Sequence, residues 1–376
     1  MTVKRIAIFC HGGVAQPGSA QTVPAVAGLI GRLSEDFDIS VYIPVKADGH
    51  DAPFRVGAAN VSFVHARHDD SSAHIAMRMT GAFLRDHRKR PFAALHGFWA
   101  LPGGIAAVIA GRVSGIPSIV SILGGEAADL PGIGYGNMAG TLSRMATLWT
   151  CRNATALAAL TQFQVERLRA FGFNRSGGIH VIPFGADPSF FFPGSRKPHS
   201  PPYNLLHVAD INRVKDQLTM LKALQLINAR ADCRLRFVGR DTLSGSLQQQ
   251  AWAMGLARHV TFAGFVPHDE ILQHYAWAHV LVHSSLYEGE GVVFAEAAAS
   301  GVPISGTRVG LLADEGDSIA MTAEPGDEGA LARNVLAILS DSRLRENLRA
   351  RAQAWSSAHD ACWTAAMYGR LYGELT

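Results

Sequence analysis

Along the chain, short runs of apolar and β-branched residues alternate with longer stretches in which apolar residues recur every three or four positions. The short runs read as strands buried on both faces and the longer stretches as helices covering them, which is an α/β pattern with parallel sheets. Strands are predicted at Arg5–Cys10, Asp38–Ile43, Val61–His65, Ala93–His96, Ser118–Ile122, Ala156–Leu160 and His180–Pro183. A second set is predicted at Asn204–Ala209, Leu235–Gly239, Val260–Phe262, Val280–Ser284, Pro303–Ser305 and Ile319–Thr322. Each set is large enough for one doubly wound sheet.

Between the sets, residues 193–202 carry four prolines in ten positions, a density that resists packing into either sheet and marks a linker. The organisation predicted is a Rossmann-like domain over 1–192, the linker, and a second Rossmann-like domain over 203–356. A final helix, capped by Ser356 or Ser357 and running to about Leu375, would present Trp363, Met367 and Leu371 on one face and return to the first domain. Two such sheets in tandem would bind ligands at the facing carboxyl ends of their strands.

Composition narrows the partners. Of 376 residues 48% are hydrophobic and 17% charged, so the chain can bury large cores. A net charge of +3 is too small for a dedicated nucleic-acid binder. Cys10, Cys151, Cys233 and Cys362 form no CxxC pair, which fits a reducing cytosol better than a disulfide framework or a zinc knuckle. The apolar run in MTVKRIAIFC reads as a first strand, and the greasiest stretch, 103–125, is broken by Arg112, Ser114 and Pro117, so no membrane span is expected.

Two stretches carry candidate chemistry. In Leu286-Tyr-Glu-Gly-Glu-Gly-Val-Val-Phe-Ala-Glu296 a strand runs into a glycine-containing loop and then a helix, which places Glu288 in the loop and Glu296 within the first two helical turns. The free N–H groups of Gly291, Val292 and Val293 suit a phosphate, and a nearby carboxylate can accept hydrogen bonds from sugar or ribose hydroxyls. The same spacing also fits an ordinary α/β turn with a solvated glutamate. In Val208-Ala-Asp-Ile-Asn-Arg-Val-Lys215, Arg213 and Lys215 fall in the first β→α loop of the second domain, on the same sheet edge, where cations can hold a diphosphate without a metal. A lone lysine there can equally be a solvated first turn, and convergence of the two loops is what favours the functional reading.

Lys215, the two glutamates eight apart and the trailing Ala299-Ser-Gly-Val-Pro303 resemble the retaining, nucleotide-sugar-dependent glycosyltransferases of group 4, which have the GT-B architecture. The resemblance extends to His96-Gly-Phe-Trp-Ala-Leu-Pro102, Val181-Ile-Pro-Phe-Gly-Ala-Asp187, Phe237-Val-Gly-Arg240 and Phe262-Ala-Gly-Phe-Val266. It implies sugar transfer from a UDP-, GDP- or ADP-linked donor to a saccharide or lipid-linked acceptor, with retention of configuration and no metal or other cofactor. By position it implies that Glu288 contacts the transferred sugar, Glu296 the donor ribose and Lys215 the diphosphate. Gly291, Val292 and Val293 become the phosphate-binding turn, and Arg213, Arg240 and Val266 join the donor side. Gly12 and Gly13, a plain tight turn on spacing alone, become the loop bordering the acceptor. His96, at a strand end, can point into the cleft on the acceptor side, though a core or surface histidine is the more ordinary reading.

The chain departs from that family in two places. Asp210 stands where an arginine is usual, and Leu123 where many members have a histidine. The run Ile122-Leu-Gly-Gly-Glu126, followed by Gly134-Tyr-Gly136, resembles a Gly-Gly-Glu variant of the family and implies a sugar-facing role for Glu126. The departures keep two alternatives open: a catalytically impaired sugar-binding scaffold and a GT-B sugar-nucleotide epimerase.

Other features argue for less. Asp36-Phe-Asp38 has the form of a metal-binding DxD but reads as a strand-entry turn. The sixteen histidines form no HExxH pattern, and neither a Walker A loop nor a strand–GxGxxG–helix unit is present. The basic run Arg85-Asp-His-Arg-Lys-Arg90 is read as a solvated helix end, with peripheral contact to an anionic membrane as the rival.

Overall fold

The structure, a computed structural model, describes residues 3–15, 19, 21–46, 53–67, 69–175, 177–191 and 199–376. It divides into two units, one of residues 1–184 with 361–376 and the other of residues 185–360.

The first unit holds a sheet of strands β1 (Arg5–Phe9), β2 (Asp38–Lys46), β3 (Phe54–Val56), β4 (Ala59–Ala66), β5 (Ala94–Phe98), β6 (Ser118–Ile122), β7 (Ala156–Ala159) and β8 (Ile179–Val181). Their spatial order is β3-β4-β2-β1-β5-β6-β7-β8. All pairings are parallel except β3 with β4, a short antiparallel hairpin turned at Gly57, whose φ is +58°. Sequence pattern had not indicated β3, since three residues with Arg55 exposed carry no periodicity. Ile6, Ala7, Ile8 and Phe9 are sealed because helices cover both faces of β1, which is why that run is apolar throughout.

The second unit holds β9 (Tyr203–Val208), β10 (Cys233–Val238), β11 (Val260–Phe262), β12 (Val280–His283), β13 (Ile304–Thr307) and β14 (Met321–Ala323), in the order β11-β10-β9-β12-β13-β14 and parallel throughout. Ile319, expected to open the last strand, closes a short helix instead, and the strand starts at Met321. The unit begins before the proline-rich segment, because Ala186 and Phe190 are buried in its core. Residues 193–198 of that segment lie outside the described residues.

The chain's last helix differs from expectation. Ser356 and Ser357 cap nothing; they lie inside a helix over Ser342–Ala358, and the Ser356 hydroxyl donates to the Ala295 carbonyl at 3.1 Å. A separate helix, Ala361–Leu375, belongs to the first unit. Its buried face is Thr364, Tyr368, Leu371 and Tyr372, rotated one position from the predicted stripe, because hydroxyl-bearing residues here meet buried polar groups. The Thr364 hydroxyl lies 2.6 Å from the Pro183 carbonyl oxygen, and those of Tyr368 and Tyr372 reach Ser121 and His96.

Candidate functional site

Among the parallel strands of each sheet the order reverses once, between β1 and β5 and between β9 and β12, and open α/β sheets bind ligands at the carboxyl ends of such a pair. In the second unit the loop after β9 turns tightly through Arg213–Lys215, with the Asn212 carboxamide oxygen accepting from the Lys215 N–H at 3.1 Å. Asp216 then enters the next helix at φ +44°, a costly conformation for a residue with a Cβ. The loop after β12 is stitched to it: the Ser284 hydroxyl donates to the Lys215 carbonyl at 2.9 Å, and the Leu286 N–H to the Val214 carbonyl at 2.8 Å.

This stitching brings Lys215 and Glu288, 73 positions apart in sequence, into direct contact. The Lys215 ammonium lies 2.5 Å from Glu288 Oε1, which also accepts from the Ser285 hydroxyl at 2.6 Å. Ser285 Oγ lies 3.1 Å from His283 Nδ1, and His207 stacks on His283 with ring centres 4.7 Å apart. Burial pushes His207 down to about 4 and His283 well below the usual imidazole range, so both are neutral beneath the pair. His207 donates through Nδ1 to the Val282 carbonyl at 2.9 Å, leaving Nε2 to accept from Gln217 at 3.3 Å. Glu288 Oε2 has no hydrogen-bond partner among the described residues.

Three residues after Glu288 the chain enters the helix Val292–Ala299 through Gly291, at φ +84°. A Cβ at Gly291 would lie 2.4 Å from the Phe294 ring, so glycine is required. Phe294 N–H is the first to bond back, to Gly291 O at 2.8 Å, which leaves the earlier amides without an intrahelical acceptor. Glu296 is buried, with the Tyr275 hydroxyl donating to Oε2 at 2.7 Å and His268 Nε2 3.1 Å from Oε1. Each oxygen retains one further lone pair for a ligand hydroxyl. Burial pushes the His268 imidazole down, but its bond to Glu296 and the charges of Glu296, Asp187 and Asp269 carry it above its usual value.

The remaining donor-side residues are arranged differently from one another. Arg213 is exposed and has no side-chain partner among the described residues. Arg240 forks onto Asp210, with Nη2 2.5 Å and Nε 3.1 Å from Oδ2. The aspartate that replaces the family's arginine thus anchors another arginine from the end of β10, and the guanidinium charge stays on the same sheet edge. Val266 is half-buried and packs on the second unit's core. Glu290, not singled out in the sequence, is buried with Oε1 3.3 Å from the Gly185 N–H and so anchors the loop.

In the first unit two expected site residues prove to be structural. His96 is fully buried, bonded at 2.7 Å through Nδ1 to the Tyr372 hydroxyl and at 2.7 Å through Nε2 to Ser121, and burial pushes it down to about 3. It joins β5, β6 and the last helix. Glu126 is also buried: Oε1 accepts from the Ala100 and Leu123 N–H groups, each at 3.2 Å, and Oε2 from Gly124 at 2.7 Å. Both oxygens are engaged by backbone amides, so in this structure Glu126 ties the loops after β5 and β6 together. Gly12 has open space around it, whereas Gly13, at φ +76°, lies under Trp99.

Sequence reasoning did not find Ser285, His283, His207, Tyr275, His268 or Trp99. Only Ser285, three residues ahead of Glu288, carried a local signal. Asp38 of the DxD pairs with Arg90 at 2.7 Å, as a strand-entry residue does. Among the described residues no three His, Cys, Asp or Glu side chains assemble a metal-ligand set, and no helix is long and apolar enough to cross a membrane.

Residues 22–185 match the model of the glycosyl transferase 4-like domain, and residues 191–355 that of glycosyl transferases group 1. A glycogen synthase of Mycobacterium tuberculosis is 27% identical over 234 residues, which are 61% of this chain and 56% of that protein, so the match spans little more than half of the relative. Sucrose-phosphate synthase from Thermosynechococcus elongatus superposes with a TM-score of 0.86 at 20% identity, covering 99% of both chains. HepE of Anabaena, solved with UDP and glucose, superposes with a TM-score of 0.77 at 17% identity over 99% of this chain and all of that one. The fold is GT-B.

Proposed function

With a glycosyltransferase domain model matched in each half and the GT-B fold throughout, we propose that this chain is a retaining, metal-independent glycosyltransferase that moves a sugar from a nucleotide-sugar donor to an acceptor hydroxyl of a saccharide or lipid-linked saccharide. The observation that carries the reading is the Lys215–Glu288 pair beside the open amides of Gly291–Val293, at the strand-order reversal of the second unit.

Negative charge develops on the diphosphate as the glycosidic bond breaks, so fixed positive potential there is the main catalytic requirement. Lys215, the helix amides and the Asp210-anchored Arg240 supply it. A donor diphosphate would draw the Lys215 ammonium from Glu288 and free Oε1, while Oε2 is already open to a sugar hydroxyl. Glu296 would hold the ribose through its remaining lone pairs. Retention by attack on the leaving-group face needs no glycosidase-type carboxylate pair, and none is built around Glu288.

A peripheral membrane contact is proposed for the first unit. The helix Thr141–Asn153 contains no acidic residue and exposes Leu142 (83%), Met145 (63%) and Trp149 (38%) at helical spacing. Arg144 and Arg152 flank this stripe, and the Arg112 guanidinium lies over the Trp149 ring, a pattern that suits an anionic bilayer. The run Arg85–Arg90 is partly neutralised by Asp86 and Asp38 and fits a bilayer less well. Sedimentation with phosphatidylglycerol vesicles should fall for Leu142→Asp/Met145→Asp, and equal binding by the double variant would remove this helix as the contact.

Activity is tested by release of nucleoside diphosphate from UDP-, GDP- and ADP-sugars, wild type beside Lys215→Ala. HepE, solved with UDP and glucose, makes UDP-glucose the first donor to try. Release from one donor, lost in the variant, is expected. Silence across the panel, with no thermal shift from any nucleotide, would point to the sugar-binding scaffold instead.

A further inference from the structure

We infer that Trp99 is a stacking platform for a pyranose ring of the acceptor, held on edge between two glycine loops of the first unit and acting as its specificity element. The inference rests on the transferase reading for the word acceptor, but its geometry does not.

Trp99 directly follows β5, at the strand-order reversal of the first sheet, opposite the loop that follows β1. Its backbone sits at φ +61° and ψ 142°, a region that a residue with a Cβ occupies only under constraint. The constraint is visible. The Trp99 N–H donates to the Ser121 carbonyl at 2.9 Å, and its own carbonyl accepts from Gly104 at 2.7 Å. Glu126 then binds the amides of both neighbouring loops, Ala100 on one side of the indole and Gly124 on the other, at 3.2 and 2.7 Å. The buried carboxylate that sequence had assigned to sugar is therefore the positioning residue for the tryptophan.

The two loops leave room for the ring by lacking side chains. A Cβ at Gly13 would lie 2.9 Å from Trp99 Cη2, and one at Gly124 would lie 3.5 Å from Nε1. The indole is half-buried, and its N–H has no acceptor among the described residues; nor is it among the buried orphan polar atoms, so it reaches solvent. An indole fixed in a strained conformation, with its polar edge unoccupied at a sheet's ligand-binding edge, suits an amphipathic ring. A pyranose offers C–H groups to the aromatic face and a hydroxyl to the N–H. A nucleobase could stack as well, but the cations and helix amides proposed for the phosphates belong to the second unit.

The test uses the full chain labelled with 5-fluorotryptophan, with the Trp99 fluorine signal identified by its loss in Trp99→Phe. Methyl glycosides of glucose, galactose, mannose and N-acetylglucosamine are titrated, with sorbitol and UMP as controls. The Trp99 signal should move saturably with at least one glycoside and stay still with sorbitol. No movement with any glycoside, or movement with UMP alone, overturns the inference. Once a donor is known, Trp99→Phe should raise the acceptor KM about tenfold and change kcat far less. A wild type that releases no nucleoside diphosphate would remove the transferase reading and leave the fluorine result standing. Unchanged acceptor KM beside normal release would remove the platform and leave the transferase reading.

Discussion

At the reversal of strand order the second unit sets a lysine against a glutamate 2.5 Å apart, over two stacked neutral imidazoles, whereas the first sets an indole between two glycine loops. The backbone frame is the same: parallel strands, a tight turn and a loop from the neighbouring strand. In one unit charge is gathered and its solvation replaced by fixed dipoles. In the other a buried carboxylate is used up on the backbone amides that flank the indole. On the readings proposed above, related sheets would divide between them an anion and a neutral ring.

The comparison breaks most visibly at Glu288. Glu288→Gln should lower turnover about a hundredfold or more while nucleotide affinity stays within a few-fold, measured by nucleoside diphosphate release and calorimetric titration. Trp99→Phe in the same assays should lower release far less than Glu288→Gln does. Similar losses from both would mean that the two edges do not divide the work.

Acid should separate the units next. His207 and His283 in the second unit and His96 in the first are buried and neutral, with folded pKa values lowered below that of an unfolded histidine. As pH falls below about 6.5 the unfolded chain takes up protons that the folded chain refuses, so stability declines. The decline from His207 continues to about pH 4, a loss on the order of 3 kcal/mol. His274 in the second unit is likewise buried and lowered, so with three such groups against one the second unit should be the first to unfold in calorimetry at pH 5, and simultaneous loss would contradict this.

Glycines sharpen the contrast at a smaller scale. Gly291→Ala should cost about 1–2 kcal/mol from its positive φ, plus the clash with Phe294, whereas Gly12→Ala should fall within about 0.5 kcal/mol of wild type; urea denaturation measures both. The smallest effect is expected at His268. Its raised pKa makes the Glu296 bond stabilising below about pH 6.5, and that contribution disappears as pH rises through the folded value. The thermal advantage of wild type over His268→Ala should therefore be present at pH 6 and absent at pH 9.

Legibility in sequence followed the range of the interactions. Ser118–Ile122 and Val260–Phe262 were bounded correctly because runs of apolar and β-branched residues signal burial locally. Strand β3 was missed because three residues cannot show a period, and Ser356 was misread because a serine inside a helix and one that caps it look alike. Glu288 and Lys215 were visible as types in a spacing, but their contact across 73 positions was not. Glu126 was assigned to sugar from the resemblance of its Gly-Gly-Glu run, and His96 to the acceptor side from its place at a strand end; their burial is decided by Tyr372 and by backbone amides that no local pattern encodes.

The returning helix Ala361–Leu375 makes the second unit an insertion within the first. On the ribosome the order of completion is therefore inverted: residues 185–360 are contiguous and can close their own core as they emerge. The earlier unit must wait, with the bonded His96 and Ser121 lacking their tyrosine partners, until Tyr368 and Tyr372 have been synthesised. The half of the protein that is made first is the half that finishes folding last.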